Sequence, residues 1–144
     1  MRISEILDRK GTQVATIRPD ATLHDVLREL EQGGFGSLVV STDGRTIEGI
    51  VTERDLVRVL AQRGASALDG DVRSTMTASV VTCGRDATVD EVMGMMTNSR
   101  FRHVPVVEDG VLAGIISIGD VVKSTIDELA VKAESLESYV TGTY

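Results

Sequence analysis

Apolar residues return along this chain with a helical rhythm in two separate places. Leu23, Val26, Leu27 and Leu30 fall at i, i+3, i+4 and i+7, and Val89, Val92, Met93 and Met96 repeat that spacing. Such spacing gathers the apolar side chains on one face of an α-helix. Each stripe opens with a threonine and an acid three residues later, Thr22 with Asp25 and Thr88 with Glu91. A hydroxyl at the N-cap and an acid at N3 each satisfy a backbone N–H of the other, so both helices have a defined start. Short runs that read as strands flank these helices. Residues 14–17 and 80–82 precede them; 38–41 with 47–52, and 103–107 with 111–117, follow them. Asp43-Gly44 and Asp109-Gly110 separate the paired runs and are hairpin signals. A second helix begins at Thr52 and again at Ser117. The pattern predicts β-α-β-β-α, twice.

The two units are copies of one another. Residues 19–27 lie over 85–93 at an offset of 66, and the register holds through Phe35/Phe101 and the two Asp-Gly pairs. One extra residue in the first copy brings the offset to 65 where 49–57 lies over 114–122. The openings, 3–7 and 72–76, correspond loosely. This divides the chain into a first repeat (1–63), a linker (64–71), a second repeat (72–125) and a C-terminal helical extension (126–144). A unit of roughly 60 residues has little surface to bury by itself, so the two are expected to pack sheet to sheet. The last helix is expected over about 118–139, with Val122, Ile126, Leu129, Val131, Ala133, Leu136 and Val140 giving it a partly apolar face. That face either folds back on its own domain or meets a partner subunit.

Composition narrows the function. The 144 residues carry 15 Lys+Arg against 22 Asp+Glu, a net charge of −7. A nucleic-acid backbone calls for the opposite balance. Two Phe, two Tyr and no Trp leave no platform for stacking bases. No apolar run is long enough to span a membrane. The N-terminal stretch has no apolar core of a signal peptide, so the expected setting is cytoplasmic. Cys83 is the only cysteine, which excludes a disulfide within the chain and a multi-thiolate zinc site. His24 and His103 have no metal-ligand spacing, and no metal is expected. No Gly-rich phosphate loop ending in Gly-Lys-Ser/Thr is present, and Gly33-Gly34-Phe35-Gly36 follows a helix instead of opening one. No set of nucleophile, base and orienting group can be assembled, so catalysis is not expected.

The candidate chemistry lies at the two second-helix starts. Thr52-x-x-Asp55 and Ser117-x-x-Asp120 place a hydroxyl at the N-cap and a carboxylate three residues on. The carboxylate can accept two hydrogen bonds from a vicinal diol such as a ribose. The hydroxyl, free N–H groups and positive helix end form an anion site. The same atoms also suit a plain capping box, and an acid folded back on its helix cannot hold a ribose as well. Arg102 and His103 stand at the entry to a strand, and Arg102 can take a phosphate bidentately. Lys123 lies one turn past Asp120, and Arg54 lies inside the first motif. The first repeat has Gly36-Ser37 where the second has Arg102-His103. The second site therefore reads as the better equipped, with Asp120→Ala expected to weaken binding more than Asp55→Ala. Pro105, without an N–H, reads as a strand edge or a bulge.

The doubled unit ending in Gly-hydrophobic-hydrophobic-Thr/Ser-x-x-Asp resembles the CBS domain family, named for cystathionine β-synthase. The residues that carry the resemblance are Gly49-Ile50-Val51-Thr52-Glu53-Arg54-Asp55, Gly114-Ile115-Ile116-Ser117-Ile118-Gly119-Asp120 and Arg102-His103-Val104-Pro105-Val106-Val107. It spans about residues 3–125 and implies a mixed α/β (α+β) Bateman module. In such a module two β-α-β-β-α repeats pack about a pseudo-twofold axis, here with a C-terminal helix added. It also implies clefts that bind an adenosyl ligand, AMP foremost, with ADP, ATP, NAD(H) or S-adenosylmethionine as alternatives. Pairing into a homodimer and an effector protein as partner are further implications. In the family, residues near the end of the first strand reach the ligand, which brings in Thr16 and Thr82. Adenine would lie between aliphatic side chains such as Ile50, Ile115 or Val104. The expected function is a non-catalytic adenine-nucleotide sensor. The alternative is an oligomerisation or docking module with vestigial clefts, acting through its last helix.

Overall fold

The computed structural model describes residues 1–142. In chain order it has α1 (Ile3–Lys10), β1 (Thr16–Ile17), α2 (Leu23–Gly33), β2 (Ser37–Val40), β3 (Gly49–Thr52) and α3 (Glu53–Arg63). Two 3₁₀ turns follow, Ala65–Asp69 and Val72–Ser74, and then α4 (Val89–Ser99), β4 (His103–Glu108), β5 (Val111–Ser117) and α5 (Ile118–Thr141). Four of the helices start where the hydroxyl-acid spacing puts them. Thr22, Thr52, Thr88 and Ser117 are N-caps, each closed into a capping box by Asp25, Asp55, Glu91 and Asp120.

In the first repeat β1 runs parallel to β2, and β2 runs antiparallel to β3. In the second, β4 and β5 form an antiparallel pair. Pro105 stands one residue before a register shift between Val106 and Val107, as a residue without an N–H favours. The strand expected over 80–82 reduces to one parallel bridge, Cys83 with Val106. Cys83 N–H donates to the Pro105 carbonyl at 3.1 Å, and Val107 N–H donates to the Cys83 carbonyl at 2.8 Å. The preceding chain is drawn elsewhere: Thr77 exchanges two hydrogen bonds with Ile50, at 3.0 and 2.9 Å, and so extends the edge of β3.

Two apolar cores form, and neither follows the covalent order of the repeats. The first gathers Leu23, Val26, Leu38, Val40, Val51 and Leu56, and it is completed by Ala67 and Val72 from the 3₁₀ turns. The second gathers Val89, Val92, Val104, Val106, Ile116 and Val121, and it is completed by Ile3, Ile6 and Leu7 of α1. The opening segment of each repeat thus covers the other repeat. The anchoring bonds match: Ile3 N–H donates to Ala87 C=O at 2.9 Å, and Val72 N–H donates to Ala21 C=O at 2.8 Å. Each exchanged segment crosses a strand at a glycine. A Cβ on Gly114 would stand 2.7 Å from Leu7 Cδ2, and one on Gly49 would stand 2.5 Å from Met76 Sδ and 2.9 Å from the Thr77 carbonyl.

The repeats meet through the opposite faces of their sheets. Strand alternation sends Leu38 and Val40 into the first core and Val39 the other way. Val39 is nevertheless fully buried and belongs to neither core. Its counterpart in the second repeat, Pro105, is also buried. A bond from Leu112 N–H to the Arg45 carbonyl, 2.9 Å, ties β5 to the first hairpin loop. Helix α5 is continuous for 24 residues, through the position where the repeat pattern ends. Val121 and Ser124 are its buried residues; beyond them the apolar side chains face outward, from 48% exposed at Val122 to 82% at Val140. Among the described residues no helix is long and apolar enough to cross a membrane.

Candidate functional site

A cavity of about 400 Å³ opens where β3 turns into α3. Its walls come from four places distant in sequence: Gly36, Ile50 and 52–55 with Arg58, Thr77 with 79–81, and 99–103 at the start of β4. The exchange of segments creates it, because the chain leaving Thr77 on the β3 edge passes over the Thr52 motif.

Thr52 N–H donates to Asp55 Oδ2 at 2.9 Å, and Asp55 N–H donates to Thr52 Oγ1 at 3.3 Å. Asp55 Oδ1 is paired with the Arg58 guanidinium, one turn along the same helix. The Asp55 side chain is 8% exposed while Arg58 is 54% exposed, so a buried acceptor is held under a mobile, solvated cation. A diol that displaces Arg58 gains that oxygen. Arg54 lines the same cavity.

Arg102 and His103 line the cavity at this motif, and His103 is also within electrostatic reach of Asp120 and Lys10. Their backbone does serve the second repeat: Ile118 N–H donates to the Arg102 carbonyl at 2.8 Å, and His103 lies opposite Ser117 in the β4–β5 ladder. Both residues nonetheless line the Thr52 cavity, because β4 begins at the junction between the repeats. The His103 ring lies against Gly36, where a Cβ would stand 3.1 Å from Nε2. Burial holds the imidazole below its ordinary value and outweighs the opposing pull of Glu53.

In the second motif the acid is met by a lysine from another element, through Oδ2 alone. Lys10 Nζ donates to Asp120 Oδ2 at 2.7 Å and to the Ile115 carbonyl at 3.0 Å. Ser117 N–H donates to the same carboxylate oxygen at 2.8 Å. Burial alone would raise the Asp120 carboxyl; the bonds from Lys10 and Ser117 outweigh it and hold the group below the usual carboxylate range. Lys10 comes from the exchanged α1, so the repeat in which Asp120 lies gives no sign of it.

The remaining candidates lie apart. Thr16 lines a separate open cavity with Asp25, Arg28 and Ser41, away from either motif. Thr82 is exposed and outside the Thr52 cavity, since the strand that would have carried it inward does not form. Lys123 is exposed on α5. Three contributors went unread: Arg58, which the spacing Asp55-x-x-Arg58 signals; Arg100; and the 77–81 segment, for which only the loose match of the repeat openings gave a hint. Cys83 is buried, and burial pushes its thiol up to about 11. His24 pairs with Asp69 at 3.2 Å on the surface. Neither is poised for chemistry. Among the described residues no group of three or more His, Cys, Asp or Glu side chains could hold a metal ion.

Two repeats, exchanged at their ends and meeting sheet to sheet over such a cavity, define a tandem-repeat domain pair. The chain belongs to the CBS domain family, which it matches over residues 3–62 and 70–127. It is 32% identical to the mitochondrial CBS domain-containing protein CBSX3 of Arabidopsis thaliana, over 99% of this chain and 73% of that protein. It is 47% identical to a CBS-domain protein of Agrobacterium tumefaciens of known crystal structure, with a TM-score of 0.84, covering 87% of this chain and 99% of that one. Two solved structures at 22% identity share the fold. The CBS domain pair of protein MJ0100 is in complex with 5′-methylthioadenosine and S-adenosylmethionine (TM-score 0.78, covering 89% of this chain and 98% of that one). CBSX2 is in complex with AMP (TM-score 0.72, covering 88% and 96%).

Proposed function

We propose that this module is a non-catalytic sensor that binds an adenosyl ligand in the Thr52–Asp55 cavity, an adenine nucleotide such as AMP, ADP, ATP or NAD(H). The observation that carries the reading is the convergence, in one cavity, of a capped helix start, a buried carboxylate and the arginines of the opposite repeat. Asp55 keeps Oδ2 in its capping box and offers only Oδ1 to the ribose hydroxyls once Arg58 swings away. Arg102 and the start of α3 take the phosphate. Ile50, on the cavity wall, offers an aliphatic face to the base. That solved structures of the same fold hold AMP, or 5′-methylthioadenosine with S-adenosylmethionine, supports the class of ligand. Because the walls come from both repeats, a bound ligand favours one placement of the repeats over another, and only such differential affinity can transmit a signal. The setting that goes with this reading is the cytoplasm, with an effector protein as the recipient.

Titration calorimetry of the full chain, stripped of nucleotide, tests it against AMP, ADP, ATP, NAD, NADH and S-adenosylmethionine. Saturable heat from an adenine nucleotide, with a matching rise in melting temperature, is the expected result. Neither signal from any compound overturns the reading.

A second reading, self-association through α5, is favoured by one observation. The outward residues Val122, Ile126, Leu129, Ala133, Leu136 and Val140 are spaced 4, 3, 4, 3 and 4 apart. That is the seam of a coiled coil, and in a parallel pair Lys132 of one copy faces Glu137 of the other. Sedimentation of the parent and of Leu129→Lys distinguishes the two: a dimer that becomes a monomer supports pairing, and an unchanged state refutes it.

A further inference from the structure

We infer that the Thr52–Asp55 cavity selects phosphate-bearing adenosyl ligands over neutral and cationic ones, and that Arg100 sets the selection. The inference rests on the reading above that the cavity takes an adenosyl ligand. Arg54, Arg58, Arg100 and Arg102 all line the cavity, against Glu53 and Asp55. The site is therefore locally positive in a chain whose net charge is −7. A cleft with one sign of charge concentrates ligands of the other. A sulfonium would enter against that field, and a thioether would gain nothing from it.

Arg100 carries the argument because its backbone is in a conformation that disfavours it. It terminates α4 at φ 59° and ψ 28°, in the left-handed region, with its N–H donating to the Met96 carbonyl at 2.9 Å. The same helix end in the first repeat, 66 residues earlier, is Gly34 at φ 66° and ψ 29°. Glycine is the residue this cap favours, since it has no Cβ to strain. The second repeat has instead a long cation in the identical turn. Among the described residues that guanidinium has no ion-pair partner, so no internal contact compensates the strain. It lies on the wall of the cavity beside Arg102. Strain of this kind, held at a ligand clamp, is retained for what the side chain does there.

The test is calorimetry of the full chain and of Arg100→Gly with AMP, 5′-methylthioadenosine and S-adenosylmethionine, together with thermal melts without ligand. The parent is expected to bind AMP at least tenfold more tightly than either thio compound. Arg100→Gly should lose about tenfold in AMP affinity and under twofold for 5′-methylthioadenosine, while melting at or above the parent temperature. An equal loss for both ligands, no loss for either, or a parent that binds 5′-methylthioadenosine as tightly as AMP overturns the inference and leaves the adenosyl site standing. A lower melting temperature for the glycine variant overturns the strain argument on which it stands. Binding of no adenosyl compound removes the inference and the site together.

Discussion

Thr52–Asp55 and Ser117–Asp120 are the same capping box built twice, yet they differ in which cation answers the acid. Asp55 is met by Arg58 from its own helix, an exposed side chain that one rotamer change removes. Asp120 is met by Lys10 from another element, whose ammonium is also tied to the Ile115 carbonyl. Helix α1 is itself fixed by Ile3, Ile6 and Leu7 in the second core. The first pair joins a buried carboxylate to an exposed guanidinium on the same helix, and that guanidinium can turn away into water. The second pair bridges two elements, so the backbone that carries its lysine is fixed by packing although the side chain itself stays partly exposed. The lesson is that a repeated motif keeps its local geometry while its availability is decided by what the rest of the chain lays over it.

The sharpest way to break this comparison is to remove each acid in turn. Asp55→Ala is expected to weaken adenine-nucleotide binding by about tenfold to a hundredfold, the range for a charge-assisted hydrogen-bond pair. Asp120→Ala should weaken it less than about threefold, since Asp120 does not line the cavity. Equal losses in calorimetry would mean that both motifs are open.

A second contrast concerns the two glycines under the exchanged segments. Gly49→Ala is expected to destabilise by about 2–3 kcal/mol, because the new methyl meets a backbone carbonyl that cannot turn aside. Gly114→Ala meets only the ends of Leu7, and should cost about 1 kcal/mol. Urea denaturation reads both values, and the reverse order would show the 72–77 segment to be the looser of the two.

The smallest effect expected is at Lys10. Lys10→Met should cost about 1 kcal/mol at neutral pH, as a half-exposed pair does. The Asp120 carboxyl titrates below its ordinary 3.8 in the folded protein. The pair's stabilisation is thus complete above that value and is lost as the pH falls through the lower folded value. Parent and variant melts should accordingly converge in acid. A gap that stays constant with pH would assign the loss to packing of the lysine stem. The variant also frees Asp120, and a second equivalent of nucleotide in the titration would show that Lys10 alone had closed that site.

Much of this was legible in the sequence. The helix starts followed from hydroxyl-acid spacing, a local interaction that needs no knowledge of the fold. The strands 37–40, 49–52, 103–108 and 111–117 followed from short apolar runs and the Asp-Gly turns between them. What could not be read was which core each short opening segment would cover. Ile3, Ile6 and Leu7 show that α1 has an apolar face, but both cores present an equally apolar gap. The place of Arg102 and His103 between the two motifs has the same root. They are bonded in the ladder to Ser117 and Ile118, so adjacency within the repeat pointed there. The meeting of β4 with the neighbouring repeat turned them toward Thr52.

The reciprocal covering of the cores means that covalent order and packing order are out of step by one element. A fragment cut at 1–63 would carry its neighbour's covering helix and lack its own, whereas one cut from after α1 through 77 would hold a complete interior. Two single-repeat chains exchanging N-terminal arms would reproduce the same pair of cores. In this light the linker from 64 to 71 has two tasks: through Ala67 it closes the first interior, and it fixes one to one a partnership that separate chains would have to find by collision.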